Sequence, residues 1–115
     1  MDKRRSSRLD KVFPVSITSP ALGECQGIAR NISEGGMFVE LRDPLPLGSA
    51  VRIHFSLPDG PGEIVAHGEV KRHYFVNFVE QDQPRSLTGM GVRFLGFDGG
   101  DELLGPRLAR LRTLH

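Results

Sequence analysis

Tryptophan is absent from this chain, and tyrosine and cysteine occur once each. A lone Cys25 forms no internal disulfide, and no Cys/His spacing of the metal-binding type surrounds it. Neither a disulfide scaffold nor a metal module is therefore expected. Long apolar runs are missing too: nothing approaches the ~20 residues of a membrane helix. The basic start is not followed by an apolar segment, so no secretory leader is read there. A cytoplasmic protein without membrane insertion is the expectation. Without Trp, the seven Phe must supply most of the aromatic packing. The hydrophobic share, 38% of 115 residues, suffices for one compact core and is too high for a disordered chain.

Turn formers are plentiful, with fourteen Gly and eight Pro, and they point to an all-β domain. The net charge is only +1, but it is unevenly spread. Lys3, Arg4, Arg5 and Arg8 face only Asp2 at the start, while the remainder holds 11 basic and 13 acidic residues. The basic character thus belongs to an arm over residues 1–11, and the body over residues 12–115 is near neutral. Such an arm suits a small anionic ligand or a short contact with a larger polyanion. It lacks an apolar anchor between Met1 and Leu9. It is expected to be mobile alone and to order when it binds.

Period-two alternation organises the body. Phe13, Val15 and Ile17 alternate with Pro14, Ser16 and Thr18, a half-buried strand with Pro at or near an edge. Small residues from Cys25 to Ala29 make a second strand, and Met37, Val39 and Leu41 a third. The clearest alternation is Val51, Ile53, Phe55 and Leu57 against Arg52, His54 and Ser56. Ile64 to Phe78 is long enough for one bent strand or two, with Gly68 as a candidate bulge. Glu80 to Thr88 reads as a polar loop around Pro84, and Gly89 to Phe94 as a final strand. Only the end changes period: Leu104, Leu108 and Leu111 fall at helical spacing, with Pro106 in the first turn. Six or seven short strands and one terminal helix fit a small barrel or a sandwich.

Two motifs stand out. "RNISEGGMFVE", residues 30–40, places Asn31 and Ser33 just before Gly35 and Gly36. Asn and Ser form turns and can also present donors and acceptors outward. Gly36 would permit positive φ or leave room for a flat ligand. The second motif is "KRRSSR", with Arg4 and Arg8 four apart and Lys3 and Arg5 beside them. Guanidinium groups fork onto phosphates and onto the O6/N7 edge of guanine. Together the motifs describe an arm that could close on a guanine nucleotide held at a Ser/Asn/Gly turn.

Arg4-x-x-x-Arg8, then Asn31-x-Ser33-x-x-Gly36, then Gly91-Val92-x-Phe94, resembles the PilZ domain family over nearly the whole chain. The resemblance also takes in Leu45-Pro46-Leu47-Gly48 and Leu57-Pro58. It implies a six-stranded antiparallel PilZ-type β-barrel with a short C-terminal α-helix. It also implies a bacterial receptor for cyclic di-GMP that signals to a protein partner, with no cofactor. The implied ligand contacts are Lys3, Arg4, Arg5, Arg8, Asn31, Ser33, Gly35 and Gly36. Two positions depart from the family pattern. Asn31 stands where many members carry Asp, so its bond to guanine lacks charge assistance. Lys3 stands where many carry Arg, and a point charge neither forks nor stacks. The residue at that place is implied to bias whether one ligand or a stacked pair binds, and the charge of Lys3 points to the pair.

Other readings use the same residues. A PilZ-like module without nucleotide binding would contact only a protein. A single-stranded nucleic-acid barrel would stack bases on Tyr74, Phe75 and Phe78. Against the latter, the body is net negative and its basic residues line no face. An enzyme is not expected. His54, His67, His73 and His115 show no metal spacing, and Ser33 lacks the setting of a nucleophile. Cys25 reads as a core thiol, and Met37, Phe38 and Met90 read as core or end-plug residues.

Overall fold

The computed structural model describes residues 12–20, 22–58 and 62–99. The expected basic arm and the helix expected beyond residue 103 lie outside the described residues.

Six strands form in chain order: β1 (Phe13–Ser19), β2 (Gly23–Ile32), β3 (Gly36–Glu40), β4 (Ala50–Phe55), β5 (Ile64–Glu80) and β6 (Gln83–Gly99). They close into an antiparallel barrel in the order β1-β2-β3-β6-β5-β4, with β1 and β4 completing the ring. The all-β barrel expectation holds. No described helix is long and apolar enough to cross a membrane.

The alternation seen in sequence becomes inside and outside. Phe13, Val15 and Ile17 of β1 and Val51, Ile53 and Phe55 of β4 are buried, and the residues between them are not. Ile17, Ile32, Ile53, Ile64, Val39, Val70 and Met90 form the fully enclosed centre. Each large side chain buried this way contributes about 1.5–3 kcal/mol. Pro14 fits as expected, because β1 pairs with β4 only over residues 16–18. Cys25 is half-buried and packs against the core, and burial beside Glu24 raises its thiol pKa.

The connection between β3 and β4 crosses one end of the barrel. Leu41 N–H donates to Thr88 O at 3.0 Å, Gly48 N–H to Val70 O at 2.8 Å, and Val70 N–H to Ser49 O at 3.0 Å. Leu45 plugs the opening, and its carbonyl accepts from His73 Nε2 at 2.6 Å.

Beyond this end β5 and β6 continue as a two-stranded ribbon, which corrects the polar loop expected over residues 80–88. Glu80 pairs with Gln83 across a two-residue turn, and Gln81 and Asp82 both have positive φ, 52° and 63°. That is the twist-matched geometry of a tight hairpin. β5 is one continuous strand whose pairing with β6 shifts at three places, one of them between His67 and Gly68. At that place the extra residue is Leu95 of β6, because His67 and Gly68 oppose Gly96 and Phe94, so the bulge expected at Gly68 lies on the facing strand.

On the outer wall, Asp98 ties β6 to the adjacent β5 and, across it, to β4. Its carboxylate accepts from His67 Nε2 and from Arg52 Nε, the latter at 2.8 Å. The His67 hydrogen bond, with the charges of His67 and Arg52, holds the Asp98 carboxyl below the usual Asp range. A lowered folded-state pKa contributes stability above the unfolded pKa of about 3.9, and that stability is lost as pH falls through the folded value. Asp98→Asn is therefore expected to flatten the acid side of the stability curve below about pH 4 and leave it unchanged in shape near neutrality. Thermal unfolding across a pH series checks this. Equal acid slopes in the two proteins would contradict it.

Candidate functional site

β2 and β3 meet at a turn built from Ser33, Glu34 and Gly35. Ser33 N–H donates to Gly36 O at 2.9 Å, closing the hairpin. Gly35 N–H donates to the Ser33 hydroxyl at 3.3 Å. The Gly35 carbonyl accepts from Phe94 N–H at 2.9 Å, tying the turn to β6. Ser33 thus helps shape the turn, and its own O–H stays available as a donor. The ladder between β2 and β3 shifts between Ala29 and Asn31, leaving Arg30 as the extra residue. This bulge places Asn31 opposite Phe38. Arg30 pairs with Glu40 at 3.0 Å.

Gly36 does a different job from the one expected. It has no positive φ. A Cβ there would sit 2.2 Å from the backbone oxygen of Val92 and 3.3 Å from Arg93 Cα. Gly36 lets β3 approach β6, and it leaves no vacancy for a ligand. Gly35 is the open position, with nothing within 4 Å of an added Cβ.

Phe38 also departs from expectation. Met37, Val39 and Met90 are core residues, but Phe38 between Met37 and Val39 is only half-buried and faces outward. Its ring meets Tyr74 edge to face, with centroids 4.8 Å apart and planes at 79°. Glycines on β6 make room for both rings. A Cβ on Gly89 would lie 2.8 Å from the Phe38 ring, and one on Gly91 would lie 3.3 Å from Tyr74. The result is a groove of about 460 Å³ lined by Asn31, Phe38, Tyr74, Val76, Phe78 and Leu87. Its size falls in the ~300–1,000 Å³ range of small-molecule sites. A few polar groups over an apolar, aromatic floor is the usual make-up of such a site. A second depression of about 470 Å³ includes Gln26, Glu40, Arg42 and Ser86 in its lining but has no aromatic floor.

The structure therefore brings Asn31 to a groove whose floor the sequence reading did not assign to the site. Gly89-Met90-Gly91, glycines flanking a core residue within a strand, was the available signal. Arg93 was missed as well. It is paired with Gly36 across β3 and β6 and is exposed on the barrel wall, with no ion pair to any described residue. Lys3, Arg4, Arg5 and Arg8 lie outside the described residues, so the site's geometry rests on the turn and the groove.

Among the described residues, no group of three or more His, Cys, Asp and Glu is placed to hold a metal ion. The three described histidines are engaged with Glu63, Asp98 and Leu45 O.

No curated protein matches this sequence. Among solved structures, the Bacillus subtilis inhibitor of motility MotI/DgrA superposes with a TM-score of 0.70 at 23% identity, over 99% of this chain and 53% of that one. The present chain thus spans about half the length of that protein. The PilZ domain of Escherichia coli YcgR, solved with c-di-GMP, gives 0.67 at 14% identity, over 98% of this chain and 91% of that one. The PilZ domain of CeSA, from a cellulose-synthesizing bacterium, gives 0.53 at 16% identity, over 92% and 94%. These likenesses establish the fold. The model of the PilZ domain matches residues 2–106, and with that match across a closed antiparallel barrel, this chain belongs to the PilZ domain family.

Proposed function

We propose that this chain is a cyclic di-GMP receptor that binds its ligand without turning it over and passes the signal to a protein partner. The observation that carries the reading is the placement of Asn31 at the edge of the aromatic groove, beside the Ser33–Gly35 turn, in a PilZ domain. A guanine base needs a flat apolar surface and edge-on hydrogen-bonding groups. Phe38, Tyr74, Val76 and Leu87 offer the first, and Asn31 and the Ser33 hydroxyl the second. The ligand's phosphates need cations. Arg93 stands on the barrel wall opposite Gly36, and Arg4 and Arg8 with Lys3 and Arg5 supply the rest from the arm. The YcgR domain solved with c-di-GMP supports the reading by its shared fold. The charge of Lys3 favours a stacked pair of ligands, so saturation at two per chain is expected.

Calorimetry with cyclic di-GMP tests this, with GTP and a short single-stranded oligonucleotide as controls. Heat with the cyclic dinucleotide alone, and its recovery intact, is the expected result. Heat with the oligonucleotide alone would favour the nucleic-acid reading and sink this one.

One substitution probes the departure from the family pattern. Asn31→Asp is expected to bind as tightly as the natural protein or more tightly, because a carboxylate accepts guanine N–H groups with charge assistance. A clear loss of affinity in the same titration would place Asn31 against a phosphate instead of a base.

A further inference from the structure

The ribbon of β5 and β6 beyond the barrel is long, apolar and open on its outer edges. Phe75 and Val79 are 67% and 73% exposed, and Val76 and Phe78 are also exposed. β5 pairs with β4 only up to Glu69, and the β3–β4 connection bonds its backbone only at Val70, beyond which it meets the His73 side chain through Leu45 O. Past that point no described strand lies along β5 on that side. An uncovered hydrophobic edge of this kind is a template for another strand.

The backbone phase of this edge follows from the turn. A two-residue hairpin loop makes Glu80 and Gln83 the first hydrogen-bonded pair. Counting back in steps of two, Phe78, Val76, Tyr74 and Arg72 turn their N–H and C=O groups toward β6. His73, Phe75, Asn77 and Val79 turn theirs away. On β6 the same count leaves Pro84, Ser86 and Thr88 facing outward. The Thr88 carbonyl is taken by Leu41, and Pro84 has no N–H to offer. Pro84 therefore blunts the β6 edge, while β5 has no such guard.

We propose that β5 pairs antiparallel with β5 of a second copy of this chain, about a two-fold axis at Val76. Hydrogen bonding in such a ladder requires the outward-facing residues to oppose one another, so the axis must pass through a residue and not between two. Centring on Val76 sets Phe75 opposite the partner's Asn77 and His73 opposite the partner's Val79 as hydrogen-bonded pairs. The pairs between them, where side chains come closest, are Tyr74 with the partner's Phe78 and Arg72 with the partner's Glu80. Each occurs twice by symmetry. Moving the axis to Phe75 would put Glu80 against Val70, which is buried in the barrel. Moving it to Asn77 would put Tyr74 against Glu80 and Arg72 against the turn residue Asp82. Only the Val76 axis joins aromatic to aromatic and cation to anion. Glu80 now meets Arg85 at 3.6 Å, with both side chains more than half exposed, and so weak a surface contact leaves it available to Arg72 of the partner.

The β5–β5 ladder needs no nucleotide, so the test is run without one. Sedimentation velocity on the full chain, up to its highest soluble concentration, should show a monomer–dimer equilibrium. Asn77→Pro removes one outward N–H while keeping every bond to β6, so the variant should be monomeric with unchanged circular dichroism. Glu80→Arg sets like charges together at two symmetric places and should weaken the dimer by at least about tenfold. Arg72→Glu combined with Glu80→Arg should restore it. If Asn77→Pro does not fold, the charge swap decides alone. A wild-type protein that stays monomeric would overturn the proposal, and so would a dimer indifferent to Glu80→Arg. A monomer with the Phe75 and Asn77 amides protected from exchange would also overturn it, by showing that the chain's own terminal segments cover the edge.

Discussion

Replacing Arg8 with alanine is expected to weaken cyclic di-GMP binding by roughly 10- to 150-fold. The figure corresponds to losing about 1.5–3 kcal/mol of charge-assisted hydrogen bonding. Arg4→Ala should do the same. Because both residues act through one arm, the double variant should lose less than the product of the two effects. Arg8→Lys should recover only part of the affinity, since an ammonium keeps the charge but not the fork. The arm is proposed to close over ligand held at the Asn31–Ser33 turn. Ordering a backbone costs roughly 1–2 kcal/mol per residue, so the arginine contacts must outweigh a substantial entropy loss. It follows that trypsin cleavage at residues 3–8 should slow when ligand is added. Tight binding by Arg8→Ala, or cleavage indifferent to ligand, would show that the arm is not the clamp.

Gly36→Ala should destabilise the fold itself, by about 1–3 kcal/mol or more. The added methyl would lie 2.2 Å from the Val92 carbonyl oxygen, and a backbone atom in a ladder cannot swing aside as a side chain can. β3 and β6 would have to part, at the seam that also carries Phe38 and Gly91. Gly35→Ala is the matched control. Its methyl meets nothing, and its stability should change by no more than about 0.5 kcal/mol. Denaturant unfolding separates the two. A Gly36→Ala protein as stable as the natural one would mean that the motif glycine serves the ligand and not the strand contact. Any loss of ligand affinity in Gly35→Ala, at unchanged stability, reports on the site alone.

The contrast between these glycines shows where sequence reading works and where it stops. β1 and β4 were legible because one face of each is buried and the other is not, so burial prints a period of two onto Phe13–Ser19 and Ala50–Phe55. The ribbon prints no such period, because both its faces meet solvent from Lys71 onward. Its turn was hidden as well. Gln81 and Asp82 adopt positive φ without a glycine, and Pro84 reads as a strand breaker when it is the guard of an exposed edge. Phe38 was misplaced by hydrophobicity alone, although Met37 and Val39 on either side point it outward by alternation. Its partner Tyr74 lies on a different strand, and the bulge between Val70 and Arg72 resets which β5 residues face out. That shift of phase has no mark in the residues around it. Asn31 and Ser33 were legible as turn formers with outward groups, but the groove beside Asn31 exists only through pairing across β2, β3, β5 and β6.

The most direct test of the site is an amide chemical-shift titration of isotope-labelled protein with cyclic di-GMP. The account predicts saturable shifts at Asn31, Ser33, Gly35, Phe38, Tyr74 and Arg93, with Ile17 and Ile53 on the β1–β4 seam unmoved. No saturable shift at any ligand concentration would contradict it, as would shifts confined to the depression around Gln26, Arg42 and Ser86.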